Sequence, residues 1–100
     1  MFKQVIIWTL QDKCFGPNLE VIKGNIKKRF EELNGNIPGL NHIEVHSDCM
    51  SSSNGDVILM ADFDDEASLK SKDSNELWNT ALNEAVIPFI DETRHVEYSA

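Results

Sequence analysis

Cysteine is scarce in this chain: Cys14 and Cys49 stand alone, and neither belongs to a CxxC pair. That excludes the usual thiol redox motif and a cysteine cage for zinc, and both thiols are expected to be free. Basic residues are also few, nine Lys and Arg against 17 Asp and Glu, for a net charge of −8 and an isoelectric point near 4.7. Such a field repels phosphate backbones and anionic headgroups, so nucleic acid is not an expected partner. No apolar run approaches the roughly 20 residues that cross a bilayer, and Met1 leads into an amphipathic strand rather than a basic-then-apolar leader. No membrane partner and a cytoplasmic location are the expectations. Internal repeats, linkers and low-complexity tracts are missing too, apart from a turn-forming SSSNG run at residues 51–55.

What is present suits one globular domain. One hundred residues hold a single core, and 41% hydrophobic with 26% charged residues is ordinary folded composition. Phe2 to Leu10 (FKQVIIWTL) is rich in β-branched and aromatic residues and is stopped by polar residues and then Gly16-Pro17, which marks a first strand. Phe2, Gln4, Ile6, Trp8 and Leu10 share one face, and Val5 and Ile7 lie on the other. Asn18 can cap a following helix of about 16 residues, in which Leu19, Ile22, Ile26, Phe30 and Leu33 recur at spacings of three and four and Gly35 supplies a left-handed end.

Beyond the Ile37-Pro38-Gly39-Leu40 turn, Ile43 and Val45 alternate with His42, Glu44 and His46 in a second strand over residues 41–47. Residues 56–63 (DVILMADF) form a third, apolar at four successive positions, a run that needs cover on both faces. Asp64, Asp65 and Glu66 place negative charge at the start of a short helix through Lys72. Asp73 and Glu76 have capping-box spacing for another, with Leu77, Trp78, Ala81, Leu82, Ala85 and Val86 inward until Pro88 ends it. His95 to Tyr98 supplies a short last strand.

The order β-α-β-β-α-β fits an α+β fold: a ferredoxin-like four-stranded antiparallel sheet with helices on one face. The uncovered face then carries Val5, Ile7, Ile58 and Met60. Leaving these wet forgoes roughly 1.5–3 kcal/mol apiece, whereas a twofold-related sheet covers them. The expectation is a homodimer, a dimeric α/β barrel, with these four residues at the interface.

In that order, FKQVIIWTL, NGNIPGLNHIEV, DVILMADFDDEASLKS and IPFIDETRHVEY resemble the stress-responsive dimeric α/β barrel family, Dabb, over nearly the whole chain. The resemblance implies a homodimer with a cavity between sheet and helices, in a family that spans plant stress-response proteins, a cofactor-free polyketide cyclase and bacterial proteins without assigned roles. The related antibiotic-biosynthesis monooxygenases share the architecture and use neither metal nor flavin, so no cofactor is expected. Members that resemble the cyclase carry a histidine early in the first strand and a Tyr-x-x-His-Pro-x-His segment after the third. Here the first position is Gln4, and aligning Phe63 with the family's strand end puts Lys72 at the tyrosine, Asn75 and Trp78 at the two histidines and Glu76 at the proline. None of Gln4, Asn75 and Trp78 can exchange protons at neutral pH as histidine does.

The candidate ligand-binding residues are therefore Gln4, Ile6, Trp8, Phe30, Leu59, Asn75, Trp78, Leu82 and Phe89, the aromatic ones being equally readable as core. Lys72 is a candidate base or nucleophile if desolvated, or a solvated lysine of the last helical turn. His42 is a second candidate base. The His42, Glu44 and His46 face has metal-ligand spacing, but contact with a partner subunit accounts for it as well, and no metal site is expected. Asp62, Asp64, Asp65 and Glu66 could hold magnesium if they converged, but three of the four sit where a helix start favours anions, so capping explains most of them. His95 with Glu97 reads as a surface pair before a dyad. Function resolves into a small-molecule-binding protein with an apolar cavity, possession of the family histidines excepted; alternatively a cofactor-independent enzyme, cyclase- or monooxygenase-like, acting on a hydrophobic or aromatic compound; and, third, an interaction module.

Overall fold

The computed structural model describes residues 1–50 and 52–99, so the start of the SSSNG turn lies outside the described residues. Its four strands are β1 (Phe2–Leu10), β2 (Leu40–His46), β3 (Val57–Phe63) and β4 (Ile90–Ser99). They form one sheet in the order β2-β3-β1-β4, every neighbouring pair antiparallel. Helix α1 (Leu19–Glu31) connects β1 to β2, and α2 (Glu66–Ser71) with α3 (Glu76–Ala81) connects β3 to β4. This is the expected βαββαβ arrangement with its helices on one face. The core lies between that face and the helices, built on Trp8, Ile26, Phe30, Ile43, Val45, Leu59 and Phe63.

Burial alternates along β1 and β3 as their side-chain pattern requires. Gln4, Ile6, Trp8 and Leu10 are buried beneath the helices, while Val5 and Ile7 stay half-exposed on the far side. Register places Val5 opposite Met60 and Ile7 opposite Ile58, so the four apolar residues form one patch. The patch is larger than the sequence reading gave, because Val96, 58% exposed, pairs with Val5. Tyr98 joins it beside Lys3, whose ammonium binds Asp62 at 2.9 Å.

The last strand corrects the sequence reading most. It runs for ten residues rather than four, because as an edge strand it needs only one bonded neighbour and tolerates charge on both faces. Helix ends differ too. Asn18 makes no side-chain cap, and α1 is 13 residues long. The cap of α3 is Asn75, whose carbonyl oxygen accepts from the Leu77 amide at 2.9 Å and the Trp78 amide at 3.3 Å. Asp73, expected to fill that role, bonds Lys72 instead. After α3 the chain widens into a π-turn over Leu82–Val86, closed by the Ile87 amide on the Leu82 carbonyl at 3.0 Å, just before Pro88 removes the next donor.

The β2 edge is sealed by side chains of α1 and the segment that follows it. Lys27 donates to the Val45 carbonyl at 2.7 Å, and Glu31 accepts from the Val45 amide at 3.0 Å. Asn34 does the same for both backbone groups of Ile43. The segment turns at Gly35 and Gly39, both with φ of +79°. At Gly39 a Cβ would collide with the Ser68 side chain of α2, which makes glycine obligatory there on two counts.

Candidate functional site

A cavity of about 250 Å³ opens between the β1–β4 half of the sheet and the chain from α2 to β4. It exists because β4 extends the sheet past the helices: no helix packs over Thr93, His95 and Glu97, which face the cavity from positions opposite Trp8, Ile6 and Gln4. Ile6, Trp78, Leu82, Ile87 and Ile90 supply apolar wall. Beneath it three rings stack, Trp8 on Phe30 at 5.3 Å and Phe30 on Trp78 at 5.2 Å in an edge-on contact. Such pairs prefer tilted and T-shaped geometries, so the stack is a rigid floor.

Lys72 enters from the short 3-10 turn after α2 (Lys72–Ser74) and is only 3% exposed. Its ammonium donates to the Leu69 carbonyl at 3.1 Å and to the Asp73 carboxylate at 3.2 Å. Asp73 itself is largely exposed, so the pair joins a buried cation to solvent at the cavity wall. The position of this turn follows from the cap of α2. Asp65 accepts from the Ser68 amide at 2.7 Å, and that backbone hydrogen bond holds its carboxyl below the usual aspartate range.

Two buried side-chain polar atoms among the described residues have no hydrogen-bond partner, Gln4 Oε1 and Trp8 Nε1. Both residues line this cavity. Buried polar groups are nearly always satisfied, so these two atoms are exceptions, and both belong to residues of one cavity wall.

Of the residues singled out from the sequence, Gln4, Ile6, Trp8, Trp78, Leu82 and Lys72 come together here. Five others stand elsewhere. Phe30 and Leu59 are wholly buried, Phe30 as the middle ring of the floor. Asn75 is occupied as the α3 cap, and Phe89 packs at the core margin with its carbonyl accepting from the Gln11 amide at 2.9 Å. His42 projects from the opposite face of the sheet, across from Asp62, with Glu44 at 3.9 Å. Lys72 and His42 therefore cannot act on one molecule from one subunit.

Ile87, Ile90 and Thr93 are lining residues that sequence reading passed over, and Asp73, read as a helix cap, and His95 with Glu97, read as a surface pair, line the cavity as well. The signal was the period-two spacing of Thr93, His95 and Glu97, hidden because β4 reads as polar on both faces. His95 and Glu97 do form a pair, at 3.8 Å, and it stands at the cavity rim. No group of three or more His, Cys, Asp or Glu among the described residues is placed to hold a metal ion.

The model of the stress responsive A/B barrel domain matches residues 3–100. This chain belongs to the Dabb family. Among solved structures it is similar to a dimeric protein of unknown function with a ferredoxin-like fold from Bacteroides fragilis, at 20% identity and a TM-score of 0.86 over 99% of this chain and 95% of that one. It is similar also to a Dabb family protein from Mesorhizobium loti, at 13% identity and a TM-score of 0.73 over 99% and 95% of the two chains. An antibiotic biosynthesis monooxygenase shares 11% identity and a TM-score of 0.74 over 100% and 98%. At these identities the likeness carries the Dabb fold and nothing of the chemistry. No curated protein sequence matches the chain.

Proposed function

We propose that this Dabb chain is a homodimeric, cytoplasmic small-molecule-binding protein whose ligand occupies the cavity between β1, β4 and the α2–α3 layer. One observation carries the reading: an apolar hollow of about 250 Å³, floored by Trp8, Phe30 and Trp78, has a wall whose residues Gln4 and Trp8 keep a buried acceptor and a buried donor unbonded. Pockets of this make-up bind largely apolar molecules and orient them by a few polar contacts. The family's description as stress responsive suggests a setting in which such a ligand is sequestered or sensed.

The homodimer forms through the open sheet face. Val5, Ile7, Ile58, Met60 and Val96 make a contiguous apolar surface there, and a twofold axis through it packs two sheets face to face. The dimeric ferredoxin-like proteins to which the chain is similar support this assembly.

A second reading, a cofactor-independent enzyme, is favoured by one feature, the buried Lys72 at the wall of an apolar cavity. Native mass spectrometry of purified protein distinguishes the readings when followed by analysis of the released compound. A carrier returns it unchanged, whereas an enzyme consumes added compound at a rate that falls in Lys72→Ala. A single folded subunit with no retained or added compound bound is the result that defeats both.

A further inference from the structure

We propose that His95 is a general base of this cavity, taking a proton from an apolar carbon acid, a molecule whose C–H is made acidic by a neighbouring carbonyl or similar group. This rests on the cavity-binding reading, adds a reaction to it, and assigns that reaction to a residue other than Lys72.

Proton transfer near neutrality calls for a side chain that both gains and loses a proton there, which is the ordinary behaviour of histidine. His95 is the one histidine of the cavity wall, since His42 and His46 stand on the far face of the sheet. The other charged residues of the wall are Lys72, Asp73 and Glu97. Lys72 is only 3% exposed, and its ammonium is committed to the Leu69 carbonyl and the Asp73 carboxylate, which occupies Asp73 as well.

His95 has the access that Lys72 lacks. It pairs in register with Ile6 on the helix side of the sheet, in the stretch of β4 over which no helix packs. Its side chain is 60% exposed, so the ring borders water as well as the apolar wall of Ile6, Leu82 and Ile87. Glu97, two residues on and on the same face, places a carboxylate oxygen 3.8 Å from His95 Nε2, where it faces the charge that the ring takes on. In the step, the free nitrogen of the neutral ring forms an N–H bond with the substrate proton, the C–H bond breaks, and its electron pair moves onto the activating group. The imidazolium then returns the proton to another atom of the molecule or passes it to water. The step consumes no oxidant and no reductant.

The test uses 5-nitrobenzisoxazole, a bicyclic carbon acid. Removal of the proton on the carbon bonded to its ring nitrogen breaks the N–O bond and releases a coloured phenolate that carries a nitrile, so a single base suffices. Near neutral pH the wild-type protein is expected to cleave it with a kcat/KM about tenfold or more above the rate constant of free imidazole. His95→Gln should lower that rate on the order of 10–100-fold, and Glu97→Gln should lower kcat several-fold at unchanged KM. His46→Gln, which removes an imidazole from the far face, should leave the rate as it was, and free imidazole added to His95→Ala should restore turnover. Calorimetric titration with 5-nitroindole, which has a similar frame and no N–O bond, should give one affinity for wild type and His95→Gln, so that lost turnover is not lost binding. A wild-type rate no greater than that of imidazole, with 5-nitroindole bound, would overturn the general base and leave cavity binding intact. A rate lost in Lys72→Met or Glu97→Gln but kept in His95→Gln would overturn it in favour of that residue. Binding of neither compound would remove the cavity reading itself.

Discussion

The Asn34 side chain bonds both backbone groups of Ile43, its Nδ2 donating to the carbonyl and its Oδ1 accepting from the amide, each at 2.9 Å. One amide side chain thus imitates the backbone of a missing neighbouring strand. Asn34→Ala is expected to cost about 1–2 kcal/mol, the net worth of two hydrogen bonds at a partly solvated edge. Asn34→Asp should cost nearly as much, since it keeps the acceptor and loses the donor. Urea unfolding of both variants checks this, and a midpoint unchanged in Asn34→Ala would show that water replaces the side chain at no cost.

Glu31 makes the adjacent seal and gives it a pH dependence. Burial alone pushes its carboxyl up, but the Lys27 ammonium and the Val45 amide outweigh burial and hold it below the ordinary glutamate value of 4.5. A carboxyl lowered on folding contributes stability that is fully present above the unfolded value and lost as pH falls through the folded one. Stability should therefore decline below about pH 4.5, and Glu31→Gln should flatten that decline at the expense of stability near neutrality. Thermal melts between about pH 3 and pH 7, a range that spans carboxylate titration, provide the comparison.

Lys72 separates packing from charge. Lys72→Met keeps an apolar stem beside Trp78, whose ring centroid lies 5.5 Å from the ammonium, and removes a cation that burial disfavours. It is expected to melt within a few degrees of wild type, whereas Lys72→Ala opens a gap and loses on the order of 1–3 kcal/mol. If both variants melt alike, packing of the stem is not what the position contributes.

The open sheet face predicts an assembly phenotype. Val5→Asp sets a charge at the centre of the apolar patch, opposite Met60 on one side and Val96 on the other. Sedimentation should show wild type as a dimer and the variant as a monomer, with far-ultraviolet circular dichroism preserved because Val5 points away from the core. A variant that still sediments as a dimer would move the interface elsewhere.

Most of the fold was legible because its cues are local or periodic. Alternation in β1 and β3, the three-four spacing from Leu19 to Leu33 and the helix stop before Pro88 each follow from a few neighbouring residues. The length of β4 was not, because an edge strand wet on both faces has no hydrophobic period to read. That gap concealed Ile90 and Thr93 as cavity wall, and left His95 and Glu97, already within the shorter strand, read as a surface pair. The role of Phe30 was hidden for a different reason. Whether a ring lines a hollow or lies under it depends on how Trp8 and Trp78 meet across three elements, a matter of tertiary packing that spacing does not encode.

The seal along β2 also bears on how copies of this chain can join. Growth of an open-ended polymer by strand addition requires each copy to offer two receptive margins, one for the copy before and one for the copy after. Here Lys27, Glu31 and Asn34 occupy one margin, and β4 forms the other. Edge-to-edge pairing between single subunits through the margin that is left therefore stops at two copies.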